Sequence, residues 1–272
     1  MLSRLLKHEF IATWRVPVAL DALLIVLGII AHFTIRSIPY IKDSIALSIL
    51  LVSLIGIYYI GLIAANVIIL VYLVMRYYRN LYSQEGYLTF TLPVTTQQII
   101  NAKVISGYLW ELLDIICTFA SLFIAGAGLV KAVDAGAAEL QEFTGELISV
   151  FGLQSPRFII TAILTLLLSP LFAIMSIYVS VTVGQLWQKH KILGAVFCYI
   201  GIYILNQILA QISLFTSGFY NLMNMEYSED FDATFGGIYS GVLTSSLLMQ
   251  AVLAVIFYIC CVLITKKKIN LD

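Results

Sequence analysis

Three carboxylates lie inside long apolar runs of this 272-residue chain: Asp21, Glu111 and Asp114. Charge in hydrocarbon is costly, so such groups normally face a cavity or a partner. Glu111 and Asp114 stand three residues apart and share one face of a helix. Lys103 and Trp110 mark that face as near the inner leaflet, and Asp21 follows Arg15 closely enough to reach a similar depth. Two roles suit them. In one they line an inward cavity, meeting a cationic or polar substrate or carrying protons. In the other they pair with Arg15, Arg76 or Lys103, whose apolar stems let the charged ends snorkel, and so fix helix packing.

Asn66, Asn206, Gln207 and Gln211 are the uncharged counterparts, and the last three share much of one helix face. They either hold helices together or line a translocation surface. Catalytic machinery is not legible. The chain has no G-x-x-x-x-G-K-S/T phosphate loop, no H-E-x-x-H and no G-x-S-x-G. His8, His32 and His190 are dispersed, and Cys117, Cys198, Cys260 and Cys261 sit in apolar runs, so neither a metal centre nor a disulfide framework is expected.

The elements that must position these residues are membrane spans. Hydrophobic residues make up 61% of the chain and charged ones 11%, less than half of what a soluble fold carries. The expected architecture is all-α and polytopic, with domains 1–15 (an amphipathic interfacial helix) and 16–272 (six spans). In the first, Leu2, Leu5, Leu6, Phe10 and Trp14 recur near helical spacing among Arg4, Lys7, Glu9 and Arg15. The apolar run that follows is too long for the core of a signal peptide, so this segment reads as retained. Spans are expected near Val16–Ile35, Ile45–Met75, Val104–Val130, Phe158–Gly184, Ile192–Phe215 and Ser245–Thr265. The second exceeds what a bilayer needs and either tilts or forms a stalk, with Tyr77 and Tyr78 beside Arg76 and Arg79 marking an interfacial boundary. Pro170 should kink the fourth.

External segments fall at 131–157 and 216–244. The first, with Leu140, Phe143, Leu147, Ile148 and Phe151 among Glu139, Glu142 and Glu146, reads as an interfacial helix; the second is acidic through Glu226, Glu229, Asp230 and Asp232. Both termini inside places Arg4, Lys7, Arg15, Arg76, Arg79, Lys103, Lys189, Lys191 and Lys266 to Lys268 on the cytoplasmic side. That is eleven of the 15 basic residues, and the positive-inside rule selects this topology.

The longest polar interruption on that side is 76–103, RYYRNLYSQEGYLTFTLPVTTQQIINAK. Ser83, Gln84, Glu85 and Gly86 suit the start of a short helix, and Pro93 should end it. Between them Tyr87, Leu88, Phe90 and Leu92 present apolar bulk that needs either a partner surface or the headgroup layer. The run YRNLYSQEGYLTFTLPVT, followed by Lys103, resembles the first cytoplasmic loop of ATP-binding-cassette (ABC) type-2 permeases. Gln84 stands where that family commonly has an acidic residue.

The resemblance implies a coupling helix, here Glu85, Tyr87, Leu88, Phe90, Leu92 and Pro93, docked on a separate ABC ATPase subunit that binds ATP and Mg. It implies a connecting helix ahead of the first span, and a second permease subunit, identical or related, meeting this one through spans two and five and so near Asn66. It further implies export of a peptide, drug or lipid across a bacterial cytoplasmic membrane, with no nucleic acid involved. Under that reading the candidate path residues are Asp21, Asn66, Glu111, Asp114, Asn206, Gln207 and Gln211. The alternatives are a secondary transporter driven by an ion gradient and a non-transporting immunity or scaffold protein.

Overall fold

The computed structural model describes residues 2–37, 45–83, 85–86, 91, 93–132, 145, 156–187, 189–223 and 231–268. Regular structure among the described residues is α-helical throughout: α1 (Leu2–Thr13), α2 (Arg15–Ser37), α3 (Ile45–Tyr82), α4 (Thr96–Ala132), α5 (Pro156–Gly184), α6 (Lys191–Met223) and α7 (Phe231–Lys268). Among the described residues, six stretches are long and apolar enough to cross a membrane: Arg15–Ser37, Ile45–Tyr82, Thr96–Ala127, Phe158–Gly184, Lys191–Tyr220 and Ile238–Lys266. The protein is a multi-pass helical membrane protein, as its composition requires.

Local chemistry explains where the helices start and stop. Pro17 has no amide hydrogen to give the Thr13 carbonyl, so α1 closes at Thr13 and α2 opens at Arg15. The ladder still reaches across the joint, with the Trp14 amide donating to Phe10 and the Val18 amide to Trp14, both at 3.1 Å. Thr95 and Gln98 form a reciprocal cap before α4. The Gln98 amide donates to the Thr95 hydroxyl (3.4 Å), and the Thr95 amide to the Gln98 side chain (3.3 Å). Pro156 opens α5 at the position where a missing amide is harmless.

The helices outrun the expected spans. Helix α3 reaches Tyr82 rather than Met75, and its 38 residues extend about 57 Å against about 30 Å of hydrocarbon. Helix α4 begins at Thr96 rather than near Val104, because the Thr95 cap starts it and Ile99, Ile100 and Ala102 bury an apolar stripe. Only 83–95 of the expected 76–103 loop therefore lies between helices. Helix α6 continues to Met223 and α7 already begins at Phe231, so the expected external segment 216–244 is helical at both ends. Helix α5 carries on through Pro170. The Ser169 hydroxyl takes up the Leu166 carbonyl (3.1 Å) that proline cannot serve.

The chain forms two compact units, Met1–Arg76 with Ile105–Leu140, and Tyr77–Val104 with Gln141–Asp272. Their boundaries fall inside α3 and α4. Lipid tails offer no hydrophobic drive for helices to associate, so close contact and interhelical hydrogen bonds must do it. In the first unit Ala31, Ile35, Tyr58 and Ala125 form a core with Leu27, Ile55, Leu62 and Leu122 around it. A Cβ at Gly28 would lie 2.5 Å from Ser121 Oγ, so glycine is what lets α2 and α4 touch there. The Ser121 hydroxyl donates to the Leu24 carbonyl (2.9 Å) and meets the Tyr58 hydroxyl (3.0 Å), joining α2, α3 and α4 at one atom. In the second unit α5 packs against both α6 and α7. Gly184 abuts the Ala195 backbone at a distance no side chain would fit, which closes the α5–α6 hairpin.

Candidate functional site

Two groups of residues stand out, one in each unit. In the first unit α2 supplies Asp21 and α4 supplies Glu111 and Asp114, with exposures of 4%, 7% and 0%. Asp21 and Asp114 lie within hydrogen-bonding range of each other, and Glu111 stands about one helical turn before Asp114 on α4. As two carboxylates neither aspartate can donate, and both oxygens of each lack a donor, as does one of Glu111. A single proton between the aspartates would make the missing bond. Of the basic residues expected to neutralise them, Arg76 is engaged elsewhere. Arg76 binds Glu9 (Nε to Oε2, 3.6 Å) and donates to the Ala12 carbonyl (3.0 Å), and Arg15 is exposed. Lys103 belongs to the second unit, where it is buried. Among the described residues, no ion pair reaches Asp21, Glu111 or Asp114.

Alongside this cluster, α1 is fastened to its unit by its last turn. Trp110 donates its indole hydrogen to the Thr13 hydroxyl (2.9 Å) and stacks obliquely on Phe10, with ring centroids 5.7 Å apart. Arg76 holds a terminal carbonyl of α1 that the helix itself leaves open. Arg4, Lys7, His8 and Ile11 are exposed on its other side.

The second group is the base of the connection between α3 and α4. Arg79 pairs with Glu85 at 3.0 Å. Oriented to satisfy both ends, the Asn80 amide donates to Glu85 (2.8 Å) and accepts from Lys103 (2.5 Å). Glu85, expected as a docking residue, thus braces the base of its own loop. Tyr77 and Tyr82, at the end of α3, send their hydroxyls to Thr182 of α5, each at 3.0 Å. Tyr82 also meets Thr265 of α7 (3.1 Å). Thr182 passes its own hydrogen to the Tyr178 carbonyl (2.7 Å), so its donor and both acceptor positions are filled. Tyr77 stacks on Tyr178 with centroids 3.9 Å apart. On the other root, Tyr258 of α7 donates to Asn101 of α4 (2.6 Å). Tyr77, expected at the headgroup boundary, is fully buried.

The remaining candidates scatter. Asn66 donates to the Leu62 carbonyl and to Thr118 of α4 (3.1 Å), a helix-to-helix bond inside the first unit. Gln207 and Gln211 are exposed on α6, while Asn206 beside them keeps a buried oxygen with no donor. His32 bonds the Ile124 carbonyl through Nδ1 (2.9 Å). Pro93 lies in the loop before the Thr95 cap. Tyr87, Leu88, Phe90 and Leu92 lie outside the described residues, as do the run 146–155 and the acidic residues Glu226, Glu229 and Asp230.

Sequence reasoning missed Thr13, Asn101, Ser121, Tyr178, Thr182, Tyr258 and Thr265. Isolated hydroxyls in apolar runs carry no pattern, since a helix can absorb any of them by back-bonding to its own carbonyls. The T-x-x-Q signal of Thr95 and Gln98 was available and would have set the start of α4. Compared with family models, curated proteins and solved structures, the chain finds no match.

Proposed function

We propose that this chain is the permease subunit of an ATP-driven exporter of the ABC type-2 kind, working with a separate ATPase subunit and a second permease. The observation that carries the reading is the segment 83–95. It bears the motif and hangs between two helices, the first of them about 57 Å long, well past the bilayer requirement. Its two roots are braced to each other, as a handle for another protein should be. Both termini then lie on the cytoplasmic side of a bacterial plasma membrane, and α1 serves as the connecting helix. ATP and Mg bind on the partner, and the cargo is an amphipathic peptide, drug or lipid moved outward. A ligand shifts such a machine only by binding its two conformations unequally, which is what nucleotide on the partner would supply.

Purification of the full chain with its neighbouring gene products tests this. An ATPase should be retained, and Leu88→Asp with Phe90→Asp should lower its recovery at least about tenfold, on the scale of losing an interfacial anchor, with membrane abundance unchanged. No retained ATPase would reject the reading. One observation favours a second reading. Three buried carboxylates without a counter-charge among the described residues suit an ion-gradient-driven transporter, which would show proton-coupled flux in vesicles without the ATPase.

A further inference from the structure

The polar knot beneath α3 invites a functional assignment because it is built from more bonds than anchoring one helix end requires. Tyr77 and Tyr82 converge on Thr182, Thr265 joins Tyr82, and Cys261 Sγ lies 3.8 Å from the Thr182 hydroxyl. Thr182 and Cys261 are fully buried. In an apolar interior each hydroxyl must find its partner within the protein, so the set is made or broken together. The second root has its own tie through Asn101 and Tyr258, and Asn80 links the two roots through Glu85 and Lys103. Every one of these residues belongs to the unit Tyr77–Val104 with Gln141–Asp272. Loop base, α5 and α7 are therefore one hydrogen-bonded body.

We propose that Thr182, with Tyr82 and Thr265, is a positioning residue for coupling: displacement of the 83–95 loop by the ATPase reaches α5 and α7 through this knot. The inference rests on the proposed function and adds the route by which the loop acts. Packing alone would let the helix end slide against α5, because apolar contacts are non-directional. A shared threonine with all three hydrogen-bonding positions occupied resists that slide.

Cys261 reports on the knot directly. In the full chain carrying Cys117→Ser, Cys198→Ser and Cys260→Ser, a membrane-permeant maleimide should label Cys261 slowly. Thr182→Val keeps the shape but removes acceptors from both tyrosines, so labelling should rise about fivefold, as expected for losing bonds of ordinary net strength. Thr182→Ser should restore protection. In the complex with the retained ATPase, Thr182→Val should keep that subunit bound yet reduce the permease-dependent change in ATP hydrolysis about fivefold, again rescued by Thr182→Ser. Unchanged labelling in Thr182→Val would overturn the knot. Faster labelling with unchanged ATP hydrolysis would overturn the coupling route while leaving the proposed function standing. Failure of the unsubstituted chain to retain any ATPase would instead remove the reading on which the route rests.

Discussion

At the residue scale the strongest constraint is the electrostatic isolation of Asp21, Glu111 and Asp114. Removing one partner of a buried ion pair is costly, but among the described residues these carboxylates have no cationic partner to lose. Asp21→Asn or Asp114→Asn should therefore raise the thermal midpoint of the detergent-solubilised protein, by the equivalent of about 1–3 kcal/mol. A lowered midpoint would reveal a counter-charge. If the cluster lines a path, Glu111→Gln with Asp114→Asn should cut export more than abundance, whereas equal losses would reject a path. A similar depth for Asp21, Glu111 and Asp114 was legible in the sequence from Arg15, Lys103 and Trp110. Their meeting, and the absence of a basic partner among the described residues, were not. Arg76, a basic residue at the same expected membrane side, was a candidate, but the open carbonyl of Ala12 and the Glu9 carboxylate, on a helix whose docking no periodicity reveals, hold it.

The helices themselves were readable as apolar runs, and their ends were not. An apolar run stops where lipid stops, whereas a helix stops where its backbone loses a donor or finds a cap. These criteria part company at Met75 and Tyr82, and again at Thr96 and Val104. Helix α4 begins where it does because of Thr95, so Thr95→Ala should cost about 1 kcal/mol locally. Amide hydrogen exchange at Gln97 and Gln98 should quicken several-fold, and that at Ile116 should not change. Uniform protection after substitution would place the start of α4 under the control of Ile99 and Ile100 packing instead. The same distinction explains the burial of Tyr77: an aromatic next to arginine reads as a headgroup anchor, yet Thr182, more than a hundred residues away, offers it a buried partner.

For the whole molecule, the six candidate spans among the described residues follow from composition and length, while the expected sidedness rests on charge. Reporter domains fused after Asp272 or before Met1 should both be active only on the cytoplasmic face, and one fused within 146–155 only outside; any other pattern would overturn the sidedness expected from the eleven basic residues. The division into two units cuts across α3 and α4, which no domain-boundary signal in the sequence announces, since no linker marks it. The seating of α1 carries a practical consequence. Of the three tryptophans, Trp14 and Trp187 are exposed, whereas Trp110 is buried with its indole hydrogen given to Thr13. Intrinsic emission should thus separate into a quencher-accessible pair and one shielded fluorophore, and lifting of the amino-terminal helix would register in the shielded component alone, giving an optical gauge of that motion without any added dye.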